Sequence, residues 1–245
     1  MKTSLWSNFV SRYIIVTMIK INLKKAVEFF DSRGEVQRNW NASAIIGLIG
    51  EDLCVSAFKH YYRGKAKDYP QFPVTQRNRH GRGPRLDRWI SVKSNIGENI
   101  LYQTEVKNWS ASAINGLPLS LNASNKEISD ICNKLITRQL VAGMKNTLLN
   151  KVLIKMRVPD QLQGVKRVEP LVIFWMPMQK NGKFLFEGTP KKFGFRGKTP
   201  FKQLTVFSVS MYFRKLIRQG KKVIELDMPR VETRIRILRG LTSIM

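Results

Sequence analysis

Acidic residues are scarce in this chain: its 245 residues hold 17 Asp+Glu against 43 Lys+Arg, a formal net charge of +26 at pH 7. Charged residues make up 24%, near the globular average, so the sign of the charge is unusual rather than its amount. The excess runs from Lys2 to Arg239 instead of gathering in a tail, which places it on a folded body and points to a polyanionic partner. Histidine is nearly missing. His60 and His80 are too few for a histidine-held metal, and neither stands near Ser110 or Ser112 in sequence to activate a nucleophile. Cysteine is equally sparse: Cys54 and Cys132 each sit inside an apolar helical pattern with no Cys-x-x-Cys pair, which excludes a disulfide framework and a zinc site and reads as core thiols in a cytoplasmic protein. No hydrophobic run is long enough to span a bilayer. The stretch 9–21 is apolar but broken by Arg12 and Lys20, and lacks a small-residue cleavage site. Internal repeats and low-complexity tracts are absent too.

What is present is a core, since 43% of the residues are hydrophobic. A short helix is expected over 22–32, ending at Gly34, and a longer one over 42–62, with Ala44, Leu48, Val55 and Phe58 on its apolar face. A turn of 100° per residue sets Glu51 between Leu48 and Phe58 and leaves Asp52 nearer the edge, so Glu51 reads as the inward acid. A basic, turn-rich connector, 63–84, follows. Period-two alternation then predicts a strand over 86–92, a turn at 95–98 and a second strand over 100–109, together a hairpin. On the second strand Gln103, Glu105 and Lys107 share one face, opposite Tyr102, Thr104 and Val106. Further on, 129–144 reads as a helix and 170–177 as a fully buried strand. A Gly/Pro-rich loop over 182–200, a helix over 201–219, a short strand at 223–226 and a closing helix from Pro229 complete the chain. The domain reading is an N-terminal helical extension (1–40), a core (41–179) and a basic C-terminal α/β extension (180–245), which alone carries 16 Lys+Arg against 4 Asp+Glu.

An acid and a lysine two apart on a strand leave the sheet on the same side. That pairing has a chemical use on phosphodiesters. The carboxylate of Glu105 can ligate Mg²⁺ or Mn²⁺ while the Lys107 ammonium orients water or offsets developing negative charge. Asp87 on the preceding strand supplies a second carboxylate, the Val106 carbonyl completes the metal shell, and Glu51 offers a third acid.

The order helix with Glu51, strand with Asp87, strand with Glu105-Val106-Lys107, helix, strand resembles the PD-(D/E)XK nuclease superfamily, over about residues 42–177. The resemblance implies a restriction-endonuclease-like mixed sheet flanked by helices, with Asp87 and Glu105 as metal-binding acids, Lys107 as the catalytic lysine and Glu51 as the first-helix acid. It also matches Gln139 to a polar residue that some branches carry on the next core helix, as active-site support. One departure stands out: Leu86 occupies the position where the motif name has proline. The activity implied is Mg²⁺-dependent DNA hydrolysis, and a homodimer is the arrangement many members use to cut both strands.

Two stretches read as DNA grips. Residues 77–85 offer Arg77, Arg79, Arg82 and Arg85, with glycines that let backbone approach phosphates. Lys191, Lys192, Arg196 and Lys198 interleave with Phe193 and Phe195, whose rings could stack on bases. The closing helix is expected to be amphipathic, with Arg230, Arg234 and Arg236 outward. RNA is the alternative polyanion, and a non-catalytic DNA- or RNA-binding protein is the alternative function.

Overall fold

The computed structural model describes residues 18–31, 40–76, 83–94, 97–107, 118–135, 148–165 and 167–242. In chain order these form β1 (Met18–Asn22), α1 (Leu23–Asp31), α2 (Trp40–Tyr61), β2 (Ala66–Asp68), β3 (Val74–Thr75), β4 (Arg85–Leu86), β5 (Arg88–Lys93), β6 (Asn99–Lys107), α3 (Asn125–Leu135), α4 (Leu148–Val152), β7 (Arg167–Phe174), β8 (Leu185–Gly188), β9 (Leu204–Ser208), α5 (Val209–Arg218), β10 (Val223–Asp227) and α6 (Pro229–Thr242). A six-stranded mixed sheet in the order β2-β5-β6-β7-β9-β8 organises the protein, with β6-β7 and β7-β9 parallel and the other pairs antiparallel. The α/β class with a mixed sheet and flanking helices is therefore observed.

The central strands explain themselves. In β7, Leu171, Val172, Ile173 and Phe174 are all buried, as expected for a strand with parallel neighbours on both sides and helices above and below. The hairpin of β5 and β6 holds its register from Arg88↔Thr104 to Lys93↔Asn99, closed by the Ser94 N–H donating to Glu98 O and vice versa at the Glu98 amide and Ser94 Oγ. α2 covers the even-numbered face of β6, where Phe58 meets Tyr102 edge to face at 6.3 Å between centroids.

Three sequence expectations change. The predicted helix over 201–219 is a strand followed by a helix: Leu204 to Ser208 are buried throughout and pair with β7 and β8, and Ser208 Oγ then caps α5 by accepting from the Met211 amide. The strand is buried on both faces and lacks an apolar-polar alternation, so periodicity alone cannot separate the two forms. The helix expected from residue 129 begins at Asn125, because Ser124 and Glu127 form a capping box in which each side chain bonds the other's backbone N–H. The loop over 182–200 contains β8, and β8 and β9 from the basic C-terminal third are hydrogen-bonded into the same sheet as β5, β6 and β7.

A second layer closes over α2. β1 and β10 pair antiparallel from Met18↔Asp227 to Asn22↔Val223, Ser56 Oγ donates to Asp227 O at 2.7 Å, and Lys59 bridges Asp68 and Asp227 at 3.0 Å each. α2 is thus buried on two sides. Among the described residues, no helix is long and apolar enough to cross a membrane.

Candidate active site

The β5-β6 hairpin positions the two acids. Asp87 lies just before β5, one step beyond the Arg88↔Thr104 pair, with its N–H donating to Thr104 O at 3.0 Å and its Oδ2 accepting from the Val106 amide at 2.7 Å. Residues of a strand send N–H and C=O to the same edge, so the Val106 carbonyl also faces the Asp87 side, while Lys107 O turns to β7 and accepts from the Trp175 amide. Asp87, Glu105 and the Val106 backbone therefore stand together at the end of the hairpin.

Glu105 is buried, 1% exposed, on the face opposite α2. Its Oε1 lies 2.7 Å from Lys107 Nζ, as the two-residue spacing predicts. A second cation, which no sequence pattern marks, joins it: Lys151 of α4 reaches Oε1 at 3.0 Å and Oε2 at 3.1 Å. Gln103, two residues before Glu105 on the same face, explains why Lys151 is there. Its Nε2 donates to Val152 O and Ile154 O at 2.7 and 2.6 Å, and its Oε1 accepts from the Met156 amide at 2.9 Å, which ties the segment after α4 down onto β6. The parity of Gln103 was legible; the arrival of Lys151 was not, because α4 is five residues long and leaves no periodic signal.

Glu51 stands apart from Glu105. It lies on α2, across the sheet, where its Oε1 pairs with Arg88 at 2.7 Å. The inward acid of the pair is Asp52, 8% exposed against 26% for Glu51, which reverses the helical-wheel expectation. The cause is the second layer: with α6 packed on α2, the side that a single-faced helix would give to solvent is covered too. Asp52 accepts from Arg88 at 3.1 Å and from Arg234 of α6 at 2.8 Å, so Arg234 turns inward instead of joining an outer basic face. Burial raises the Glu51 carboxyl above its ordinary range, opposed by Arg88 and reinforced by the charges of Asp87 and Asp52. Glu51 thus feels Asp87 through space while held by Arg88.

Among the remaining expected site residues, Arg85, Lys191, Lys192, Arg196 and Lys198 are exposed. Phe193 is not available for stacking: it is 1% exposed and packs on Phe186 at 5.2 Å, folded in by the turn that ends at Gly194 with φ 82°. Phe195 packs half-buried against the core. Arg77, Arg79, Arg82 and Gln139 lie outside the described residues. His60 is structural, with Nδ1 2.7 Å from the Tyr212 hydroxyl beside a cleft of about 790 Å³.

Among the described residues, no group of three or more His, Cys, Asp and Glu side chains could hold a metal ion. Mg²⁺ asks for less. It takes one or two carboxylates and keeps several waters, and Asp87, Glu105 and the Val106 carbonyl are oxygen donors of the kind it takes. Comparison with protein-family models, curated proteins and solved structures finds no match for the chain.

Proposed function

We propose that the protein is a Mg²⁺-dependent endonuclease that hydrolyses phosphodiesters in DNA, with a restriction-endonuclease-like core. The observation that carries the reading is Asp87 Oδ2 held 2.7 Å from the Val106 amide, next in the chain to Glu105, whose Oε1 lies 2.7 Å from Lys107 Nζ. The element order supports it: α2 with Glu51, β5 preceded by Asp87, β6 with Glu105 and Lys107, then α3 and β7, in the succession the nuclease superfamily implies.

Asp87, Glu105 and the Val106 carbonyl would hold the cation, which supplies charge neutralisation and a more acidic water at the scissile phosphate. Lys107 donates hydrogen bonds to the attacking water or to a phosphate oxygen as negative charge grows there, and Glu105 fixes its position. Water adds to phosphorus and gives up a proton to solvent, the bond to the leaving oxygen breaks, and that oxygen takes a proton from solvent. Arg85, Lys191, Lys192, Arg196 and Lys198, all exposed, bind phosphates on either side of the cut. Glu51 acts at a distance through Asp87, and through metal or water only once Arg88 lets it go. Two copies on one duplex would cut both strands together, the homodimer that the resemblance implies.

A non-catalytic nucleic-acid-binding protein is the second reading, favoured by one observation: both Glu105 oxygens are already paired with lysines, as in a structural ion cluster. Cleavage of supercoiled, linear, branched and single-stranded DNA, and of RNA, with Mg²⁺ or Mn²⁺ separates the two. Lys107→Ala and Asp87→Ala are each expected to lower cleavage by about 10²-fold or more. Activity surviving both substitutions overturns the site, and binding without cleavage by the wild type favours the second reading.

A further inference from the structure

We propose that Lys151 is a resident counter-ion which a divalent cation displaces from Glu105, and that the released ammonium then contacts the scissile phosphate; this rests on the nuclease reading above. Both oxygens of a carboxylate 1% exposed are covered by ammonium groups, Lys151 on Oε1 and Oε2 and Lys107 on Oε1. A cation bound to Oε1 at roughly 2.1 Å would sit no farther than about 5 Å from a Lys151 Nζ held 3.0 Å from the same atom. Asp87, Glu105, Lys107 and Lys151 together are neutral. Adding a divalent ion makes the cluster doubly positive, so an ammonium is driven off.

The geometry points to Lys151 as the one that leaves. It spans both oxygens, where a cation must enter, at 3.0 and 3.1 Å against the single 2.7 Å contact of Lys107, and its side chain is more exposed, 38% against 26%. Its backbone is nonetheless fixed: Leu149 and Val152 are fully buried, Gln103 grips the residues that follow, and Thr199 Oγ donates to Leu153 O. A rigid base with a solvent-reaching head lets the ammonium swing without moving α4. The arriving phosphodiester, with its one negative charge, halves that excess, and the Lys151 ammonium, with three N–H donors, is free to bond its oxygens.

Titration calorimetry of the whole chain with Mg²⁺ or Mn²⁺ alone, beside cleavage at saturating metal, tests this. Lys151→Met is expected to bind metal about tenfold more tightly than wild type yet cleave about tenfold more slowly. Lys155→Met, an exposed lysine on the same segment, controls for general loss of positive charge and shifts affinity by less than about twofold. Unchanged or weaker binding by Lys151→Met, with wild type binding metal, overturns the proposal and leaves the nuclease reading standing. Tighter binding with unchanged cleavage overturns the phosphate contact. No binding by either protein overturns the nuclease reading itself. A thermal melt checks folding, and Lys151→Gln is expected to shift affinity in the same direction.

Discussion

Arg214 on α5 works entirely from the interior, at 6% side-chain exposure. Its guanidinium pairs with Asp31 Oδ2 at 2.6 Å and donates to the carbonyls of Leu119, Ser120 and Leu121, while Trp175 Nε1 donates to the other Asp31 oxygen at 2.8 Å. Burial raises the Asp31 carboxyl, and Arg214 pulls it back down. Removing one member strands a buried charge and three carbonyls together. Arg214→Met is expected to cost about 3–5 kcal/mol in urea unfolding, and a loss under about 1 kcal/mol would contradict the pairing. His60 offers a pH handle. Burial lowers its pKa below 6.5, with Lys221 and Arg63 adding to the effect, so the unfolded chain binds more protons near that pH than the folded one. Stability is therefore full above about pH 6.5 and falls as pH drops below it. The unfolding midpoint should decline between about pH 7 and pH 5.5, and His60→Gln should flatten that slope; with only two histidines, few other groups titrate there.

Among the elements, β6 carries the densest assignment. One face turns Tyr102 and Val106 to α2, while Gln103, Glu105 and Lys107 line the candidate site on the other. Gln103→Leu would cut three hydrogen bonds and leave the Val152, Ile154 and Met156 backbone groups short of partners. The expected result is about 2–3 kcal/mol lost and faster hydrogen exchange at the Met156 amide, with unchanged exchange arguing against this clamp. The strand pattern made this legible: alternation gave the face, and the Glu-x-Lys spacing gave the 2.7 Å contact. Lys151 was hidden because contact across 46 residues leaves no trace in local periodicity. The burial of Asp52 is hidden for a related reason. A helical wheel assumes one wet side, and α2 has little, since β10 and α6 cover what the sheet does not. β9 is hard to read because both its faces are buried, although Ser208 marks the point where α5 begins.

For the molecule as a whole, the +26 charge sets the terms of association. Binding to DNA is expected to weaken by about 10³-fold or more between roughly 50 and 200 mM salt, if six or more phosphates are neutralised. Fluorescence anisotropy across a salt series reads this directly, and affinity flat over that range would deny the surface charge its role. The β1-β10 ribbon adds a constraint of another kind. Its two strands are separated by about 200 residues of chain, so this pairing belongs to the slowest class of contact to form. During synthesis on a ribosome the first strand must wait, unpaired, while nearly everything between is made, and the outer side of α2 stays uncovered for as long. Asp52 then waits for Arg234, and Lys59 for Asp227. The buried acid of α2 and the outer side of that helix are thus completed last, which makes the emergence of residues 223–234 the moment at which a folded body can become a finished one.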